Sequence, residues 1–295
     1  MNKVPNGHEE GQPGSGCEGS DRADMRRLLK DVLAELLSPT RCASCERPGA
    51  LLCSECKSAM VHIDPLQACT RCGAPYGRML CTECAGEDTR EGASGYAGED
   101  ASEGAGKNAN EDARENTNIP FDRCLAAAVF DGPPARIIRA YKDGGERRLA
   151  DIIAGLMYEA ALTAERTAPD RYGGILSQAD ALTFVPVTAA AYRRRGFDHM
   201  ELVARALSKQ AGIPYCDVLA KRGRADQRDL ARDQRFAQSH GVYTVVAPEQ
   251  VTGARLLLID DVITTGATMK AAASALVKAG AAHVDALALA RVWGA

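Results

Sequence analysis

Eight cysteines fall between residues 42 and 84, and every one belongs to a Cys-x-x-Cys pair: Cys42/Cys45, Cys53/Cys56, Cys69/Cys72 and Cys81/Cys84. Such a turn presents two thiolates to one metal ion, so four pairs supply the ligands of two tetrahedral four-cysteine zinc (Zn2+) sites. The segment holds few large apolar residues, and metal binding would supply the folding energy that a small core cannot. Closed four-thiolate sites leave no open coordination position, so the module is expected to be structural or a contact surface rather than catalytic. Disulfides are an alternative, although paired Cys-x-x-Cys spacing is not their usual framework. Iron–sulfur ligation also takes four thiolates. Short, hairpin-like spacings favour sequential pairing, 42/45 with 53/56 and 69/72 with 81/84, which leaves His62 surplus to the ligand count. Of the other three cysteines, Cys17 falls in a polar stretch, while Cys124 and Cys216 read as small buried hydrophobes.

The texture of the chain changes three times along its length. Residues 1–24 are rich in Gly, Ser, Pro and charge, and read as a disordered tail. Residues 25–85 join a helix to the cysteine module: Leu28, Leu29, Val32, Leu33, Leu36 and Leu37 share one helical face, which ends before Pro39 and is expected to dock on the module. Residues 86–119 form a flexible acidic, Gly-rich linker; the stretch 85–118 sets nine acids against three bases. From 120 to 295, short apolar runs alternate with helical patterns. The strands are "CLAAAVF", "ALTFVP", "GVYTVV", "RLLLID" and "HVDALALARV"; the helices are "PPARIIRAYK", "RRLADIIAGLMYEAAL", "MELVARALSKQAG" and "ATMKAAASALVKAG". That alternation predicts an α/β domain with a parallel sheet and helices on both faces. No run approaches the roughly 18 uncharged residues a membrane span needs, and no leader pattern stands at the start, so the expectation is a cytoplasmic chain with no membrane span.

The candidate ligand site is "LLLIDDVITTGATMKAAASALVKAG", residues 256–280. A strand buried on both faces delivers Asp260 and Asp261 to the C-terminal edge of the sheet, where open α/β folds place their ligands. The turn that follows opens into a helix, so its amides and the helix dipole form an anion nest. Gly266 allows close backbone approach, and Thr264, Thr265 and Thr268 add hydroxyls around Ala267. Carboxylates repel phosphate, so the pairing makes sense for a ligand with a monophosphate at one end and vicinal hydroxyls at the other, as in a ribose 5-phosphate. A plain acidic strand end followed by a helix N-cap is the bland alternative. A Walker-type loop is excluded because no Gly-Lys-Thr/Ser follows.

"LLLIDDVITTGAT" resembles the phosphoribosyl pyrophosphate (PRPP) motif of type I phosphoribosyltransferases. The chain from Pro39 onward resembles the ComF family, competence-associated proteins with a double zinc ribbon and a phosphoribosyltransferase-like domain. The four cysteine pairs, "YKDGGERRLA" (141–150), "VPV" (185–187), "RRRGFD" (193–198) and "QRDLARDQR" (227–235) carry the likeness. It implies that Asp260 and Asp261 bind the ribose hydroxyls and that Thr264, Thr265, Gly266, Ala267 and Thr268 bind the 5-phosphate. It also places the pyrophosphate loop at Val187, Thr188 and Ala189, with Mg2+ bridging pyrophosphate and ribose oxygens. Arg193, Arg194, Arg195 and Lys142 are candidates to contact pyrophosphate or a nucleic-acid backbone, a solvated basic face being the alternative for the arginines. Two departures from the family pattern are "GFDH" (196–199), where Gly-Phe-Asn-Gln is common, and Gln238 in place of an Asn.

By this resemblance, an enzyme would displace pyrophosphate from C1 of PRPP with a nitrogen nucleophile, a pentosyl transfer catalysed mainly by positioning and by Mg2+ on the leaving group. No residue identifies the acceptor, and no catalytic residue is assigned. The expected setting is DNA uptake, with PRPP or a nucleotide as ligand. Single-stranded DNA and a competence helicase or recombination-mediator protein are the possible partners. Two other functions fit the same residues: a non-catalytic nucleotide- or DNA-binding adaptor, and a purine or pyrimidine salvage phosphoribosyltransferase. Residues 120–295 carry 23 Lys and Arg against 19 Asp and Glu, a net +4 that helps DNA binding only modestly, and the 5% aromatic content of the whole chain leaves little for base stacking.

Overall fold

The computed structural model describes residues 39–76, 80, 81, 84, 120–221 and 242–293. The tail, the apolar helix expected over 25–37, the linker at 86–119, the stretch 227–235 and Gln238 lie outside the described residues. In chain order the elements are helix α1 (Ser54–Ser58), strand β1 (Arg123–Val129), helices α2 (Gly132–Lys142), α3 (Leu149–Thr167) and α4 (Pro169–Tyr172), and strand β2 (Ala181–Phe184). Helices α5 (Ala189–Arg195) and α6 (His199–Ala211) follow, then strands β3 (Leu219–Lys221), β4 (Tyr243–Val245) and β5 (Arg255–Ile263), helix α7 (Ala267–Lys278) and strand β6 (His283–Arg291).

Four strands form a parallel sheet in the order β1-β6-β5-β2. Its apolar runs are explained by burial on both sides. Leu125, Leu257, Ile259, Leu287 and Leu289 join the core built with α2, α3, α4 and α6, while Ala126, Leu256, Leu258, Val284 and Ala286 join the core built with α7. Strands that alternate between two apolar layers cannot show the polar-out pattern of a half-exposed sheet. Prolines 133 and 134 occupy the first turn of α2, where a missing N–H costs nothing. Gly212 in the left-handed region stops α6.

One expected strand lies elsewhere. The "GVYTVV" run contributes only β4, which pairs antiparallel with β3 in a separate two-stranded sheet over the α7 layer. Its Tyr243 is buried while Val242 and Val246 are exposed, so it covers the core with one face and could not serve as an interior parallel strand.

The cysteine module closes one edge of the main sheet. Ile63 N–H donates to the Ala127 carbonyl (3.1 Å) and Val129 N–H to the Val61 carbonyl (2.9 Å), so residues 61–63 run antiparallel along β1. His62 therefore sits in a backbone bridge and outside both cysteine clusters. Gly73, at φ +70°, lies so close to β1 that an added Cβ would stand 3.3 Å from the Ala126 nitrogen.

A buried ion pair ties β1 to β6. Arg123 Nε and Nη2 donate to Asp285 Oδ1 and Oδ2 at 2.8 and 2.5 Å, and Nη1 donates to the Gly173 carbonyl at 2.6 Å. Burial alone would raise the Asp285 carboxyl, but the hydrogen bond from His283 and the Arg123 guanidinium hold it below the usual range. Arg123→Met leaves that carboxylate without its fork and is expected to lower the urea-unfolding free energy by about 3 kcal/mol. Arg123→Met combined with Asp285→Leu should recover most of the loss; a double variant no better than the single one would show that the charge pairing is not the source.

Candidate functional site

Asp260 and Asp261 stand at the C-terminal part of β5, both buried. Asp261 is reached from two helices of the same layer: Lys142, the last residue of α2, forms an ion pair with its Oδ2, and His199, the first residue of α6, places Nε2 2.8 Å from the same oxygen. Arg195 Nη1 lies 3.5 Å from His199 Nδ1, which suits a tautomer with the proton on Nε2, shared with Asp261. The Tyr141 hydroxyl donates to the His199 carbonyl at 2.6 Å and fixes the start of α6 against the end of α2. Asp198 caps α6 by accepting from Met200 N (2.9 Å) and Glu201 N (3.3 Å), and its other oxygen accepts from Val187 N at 2.9 Å.

These surroundings drive the two carboxyls apart. Burial, and then the charge of Asp261, push Asp260 up to about 8. Asp261 is equally penalised by burial, but the hydrogen bond from His199 and the Lys142 ammonium hold it below the usual carboxylate range. Asp260 accepts the Asp261 amide at 2.9 Å, and the buried Tyr243 hydroxyl, which lies in its field, has no hydrogen-bond partner among the described residues. One carboxylate is thus satisfied by an ammonium and an imidazole ring, and the other is an acceptor short of donors.

The turn after β5 is exposed at Thr264, Thr265, Ala267 and Thr268. Gly266 takes φ +76° as the N-cap of α7 with no side-chain cap, so the first-turn amides are left without a side-chain acceptor. The exception among the described residues is weak: Ala267 N donates to Thr265 Oγ1 at 3.4 Å. Amide donors and the positive end of a helix dipole converge here, an arrangement that suits an anion.

The remaining expected residues are dispersed differently. Val187 and Thr188 precede α5, Thr188 capping it through Ala191 N at 3.1 Å, and Ala189 begins the helix. Arg193 and Arg194 are exposed on α5, while Arg195 turns inward to His199. Lys142, a candidate for pyrophosphate or a nucleic-acid backbone, forms the ion pair with Asp261. His199 was not among the expected ligand residues; its one signal was the departure "GFDH" immediately before a helix.

The eight cysteines gather as Cys42, Cys45, Cys53, Cys56 and as Cys69, Cys72, Cys81, Cys84, each set with its ligand atoms within 4.8 Å of one another. The Sγ atoms of Cys45 and Cys53 are 3.8 Å apart and those of Cys72 and Cys81 3.6 Å. Four sulfurs around zinc at about 2.3 Å span tetrahedral edges of about 3.8 Å, so both sets could hold the metal. Backbone N–H groups of Cys53, Cys56 and Cys84 point at Cys42, Cys53 and Cys81 Sγ at 3.4 to 3.5 Å, donors that favour thiolates.

Parts of the chain are similar to known proteins. Residues 187–292 match the phosphoribosyl transferase domain family. The chain is 25% identical to "DNA utilization protein YhgH" of Salmonella typhimurium over 174 residues, 58% of this chain and 73% of that protein. It is 27% identical to "Competence protein F" of Haemophilus influenzae over 177 residues, 59% and 72% of the two chains. "Competence protein ComFC" of Streptococcus pneumoniae is 32% identical over 110 residues, 36% of this chain and 46% of that one. Among solved structures, glutamine PRPP amidotransferase from B. subtilis aligns at 27% identity and a TM-score of 0.27, over 39% of this chain and 24% of that one.

The raised Asp260 carboxyl has a consequence for stability. Between the ordinary aspartate value near 3.9 and about 8, the unfolded chain has released the proton that the folded chain keeps, so stability falls as pH rises through that window. Asp260→Asn removes the effect. The variant's melting temperature is expected to match wild type near pH 4, exceed it increasingly up to pH 8 and hold a constant lead above; a lead independent of pH would show that Asp260 titrates normally.

Proposed function

We propose, for this member of the ComF family of phosphoribosyltransferase-like proteins, that the C-terminal edge of the sheet binds PRPP or a related ribose 5-phosphate together with Mg2+, in the service of DNA uptake and use. The observation that carries the reading is the pairing of two buried carboxyls with an uncapped helix turn at the end of one strand. Asp260, short of donors, would accept from one ribose hydroxyl. Asp261, held as a carboxylate by Lys142 and His199, would accept from its neighbour. Amides and hydroxyls of Thr264, Thr265, Gly266, Ala267 and Thr268 would hold the 5-phosphate. The segment Val187, Thr188 and Ala189, which Asp198 anchors to α6, would face pyrophosphate.

Hard oxygen donors suit Mg2+, and with Asp261 already engaged the ion would be held largely by the ligand's own oxygens, where it would neutralise the leaving pyrophosphate. Both cysteine clusters would carry structural Zn2+. The names of the relatives support a role with DNA, and the exposed Arg193 and Arg194 on α5, a helix with no buried residue, favour a second reading in which single-stranded DNA is held beside the nucleotide site without turnover.

Titration calorimetry of Mg2+-PRPP into the full chain tests the main reading. Wild type is expected to bind, and Asp260→Asn with Asp261→Asn to bind about 100-fold more weakly, the loss of two carboxyl acceptors, one of them charged. Absence of PRPP binding by wild type, with single-stranded DNA binding intact, would favour the non-catalytic reading. Metal analysis of protein purified under reducing conditions is expected to give about two zinc ions per chain, and fewer would defeat the eight-ligand count.

A further inference from the structure

Arg291, the last residue of β6, lies between the second cysteine cluster and the candidate phosphate turn. The residue is 5% exposed, although an arginine at a strand end would ordinarily reach solvent. Nε donates to the Cys72 carbonyl at 3.0 Å. Nη1 donates to the carbonyls of Thr264 and Val292, and weakly to that of Ile263 at 3.4 Å. One guanidinium therefore bridges the backbone of a cysteine ligand and the backbone at the entry to the turn. A small pocket between them is lined by Cys72, Cys84, Thr265, Gly266, Lys270 and Arg291, among others.

The bridge acts on the amides that the turn presents. In a trans peptide the C=O and the following N–H point in opposite directions. Holding the Ile263 and Thr264 carbonyls toward Arg291 aims the N–H groups of Thr264 and Thr265 away from it. The other end of the bridge is equally fixed. Cys72 belongs to a knuckle pinned to β1 through Cys124 N and the Thr70 carbonyl at 2.7 Å; backbone bonds from Gly73 N to Cys69 O and from Cys69 N to Ala74 O, both 2.8 Å, shape its turn, and its four sulfurs converge within 4.8 Å, where a bound metal would lock them. Among the described residues the first cluster's side is tied instead to α2 and α3: Arg136 Nε donates to Ser44 Oγ, Arg148 at the start of α3 donates to Thr40 Oγ1, and Lys57 pairs with Glu159.

We propose that Arg291 is a positioning residue that makes the second four-cysteine site a determinant of the 263–268 turn, so that metal bound by Cys69, Cys72, Cys81 and Cys84 sets how well the turn holds a phosphate. The phosphate arm rests on the binding reading above; the ordering of the turn does not.

The test is hydrogen exchange read by mass spectrometry on the full, zinc-loaded chain, with Mg2+-PRPP affinity measured in parallel. Arg291→Lys keeps charge and length but loses the planar fork that spans the carbonyls. Cys84→Ser disables the second site and Cys45→Ser the first. Arg291→Lys and Cys84→Ser are each expected to raise exchange in 263–268 at least tenfold and to weaken Mg2+-PRPP about tenfold, with exchange in 149–167 and the metal content of the first site unchanged; Cys45→Ser should leave 263–268 as in wild type. Unchanged exchange in 263–268 for both variants overturns the proposal, and so does a rise shared equally by 149–167, which would mark general destabilisation. If wild type does not bind PRPP while 263–268 responds as expected, the ligand assignment fails and the coupling stands.

Discussion

A carboxylate placed at the end of a strand buried on both faces must find its counter-charge inside the protein, and the architecture around Asp261 follows from that requirement. The strand cannot move to solvent without exposing Leu257 and Ile259 on one side and Leu256 and Leu258 on the other. The partners come to it: Lys142 from the end of α2 and His199 from the start of α6, with Tyr141 hydrogen-bonded across to the His199 carbonyl. An uncompensated charge at such a position would cost several kcal/mol, so the convergence of these two helix ends is enforced as strongly as the apolar packing beneath it. Asp198 then passes the constraint on, since the carboxylate that caps α6 also holds Val187. Three segments that contribute to the sheet's C-terminal edge are thereby located by one buried charge.

The same burial separates the two adjacent acids chemically. Asp261 has the Lys142 ammonium and the His199 ring on hand and stays ionised; Asp260 has a backbone amide and the more distant charges of Lys142 and Lys221, which do not offset burial and the field of its neighbour, and it is driven toward the neutral form. Under the proposed function this asymmetry is useful, because a ligand that brings hydroxyl donors gains most at the acceptor that lacked them.

What could be read from the sequence was what depends on local pattern. The "LLLI" run, the Gly266 turn and the alanine-rich helix after it appear as β5, an uncapped left-handed glycine and α7. The sequential grouping of cysteine pairs follows from spacing and is the grouping observed. The β3 and β4 pair was not legible as an antiparallel sheet, since each strand is three residues long and they are separated by residues outside the described set. His199 and Lys142 were not legible as partners of Asp261 because their role lies in contacts across 62 residues and more of chain. Arg291 was hidden for a different reason: its partners are backbone carbonyls, which carry no residue identity.

The cysteine module is not an appendage joined only through covalent linkage. A module of this size cannot bury enough apolar surface alone, and its larger side chains are spent outside it: Met60 enters one core of the sheet domain, and Ile63 and Ala68 enter the other. Among the described residues, the cluster around the second site contains only cysteines, Ala74 and, packed against them, Trp293 from beyond the last strand. Metal coordination there would organise a knuckle whose wall is supplied by β1 and the end of β6. Conversely, residues 61–63 cover the edge of β1, whose unpaired N–H and carbonyl groups would otherwise invite association with another strand. Each part thus completes a surface the other leaves open. Because β6 pairs with β5 in register up to Ile263 opposite Arg291, a change in the knuckle has a direct backbone path to the turn at the candidate site.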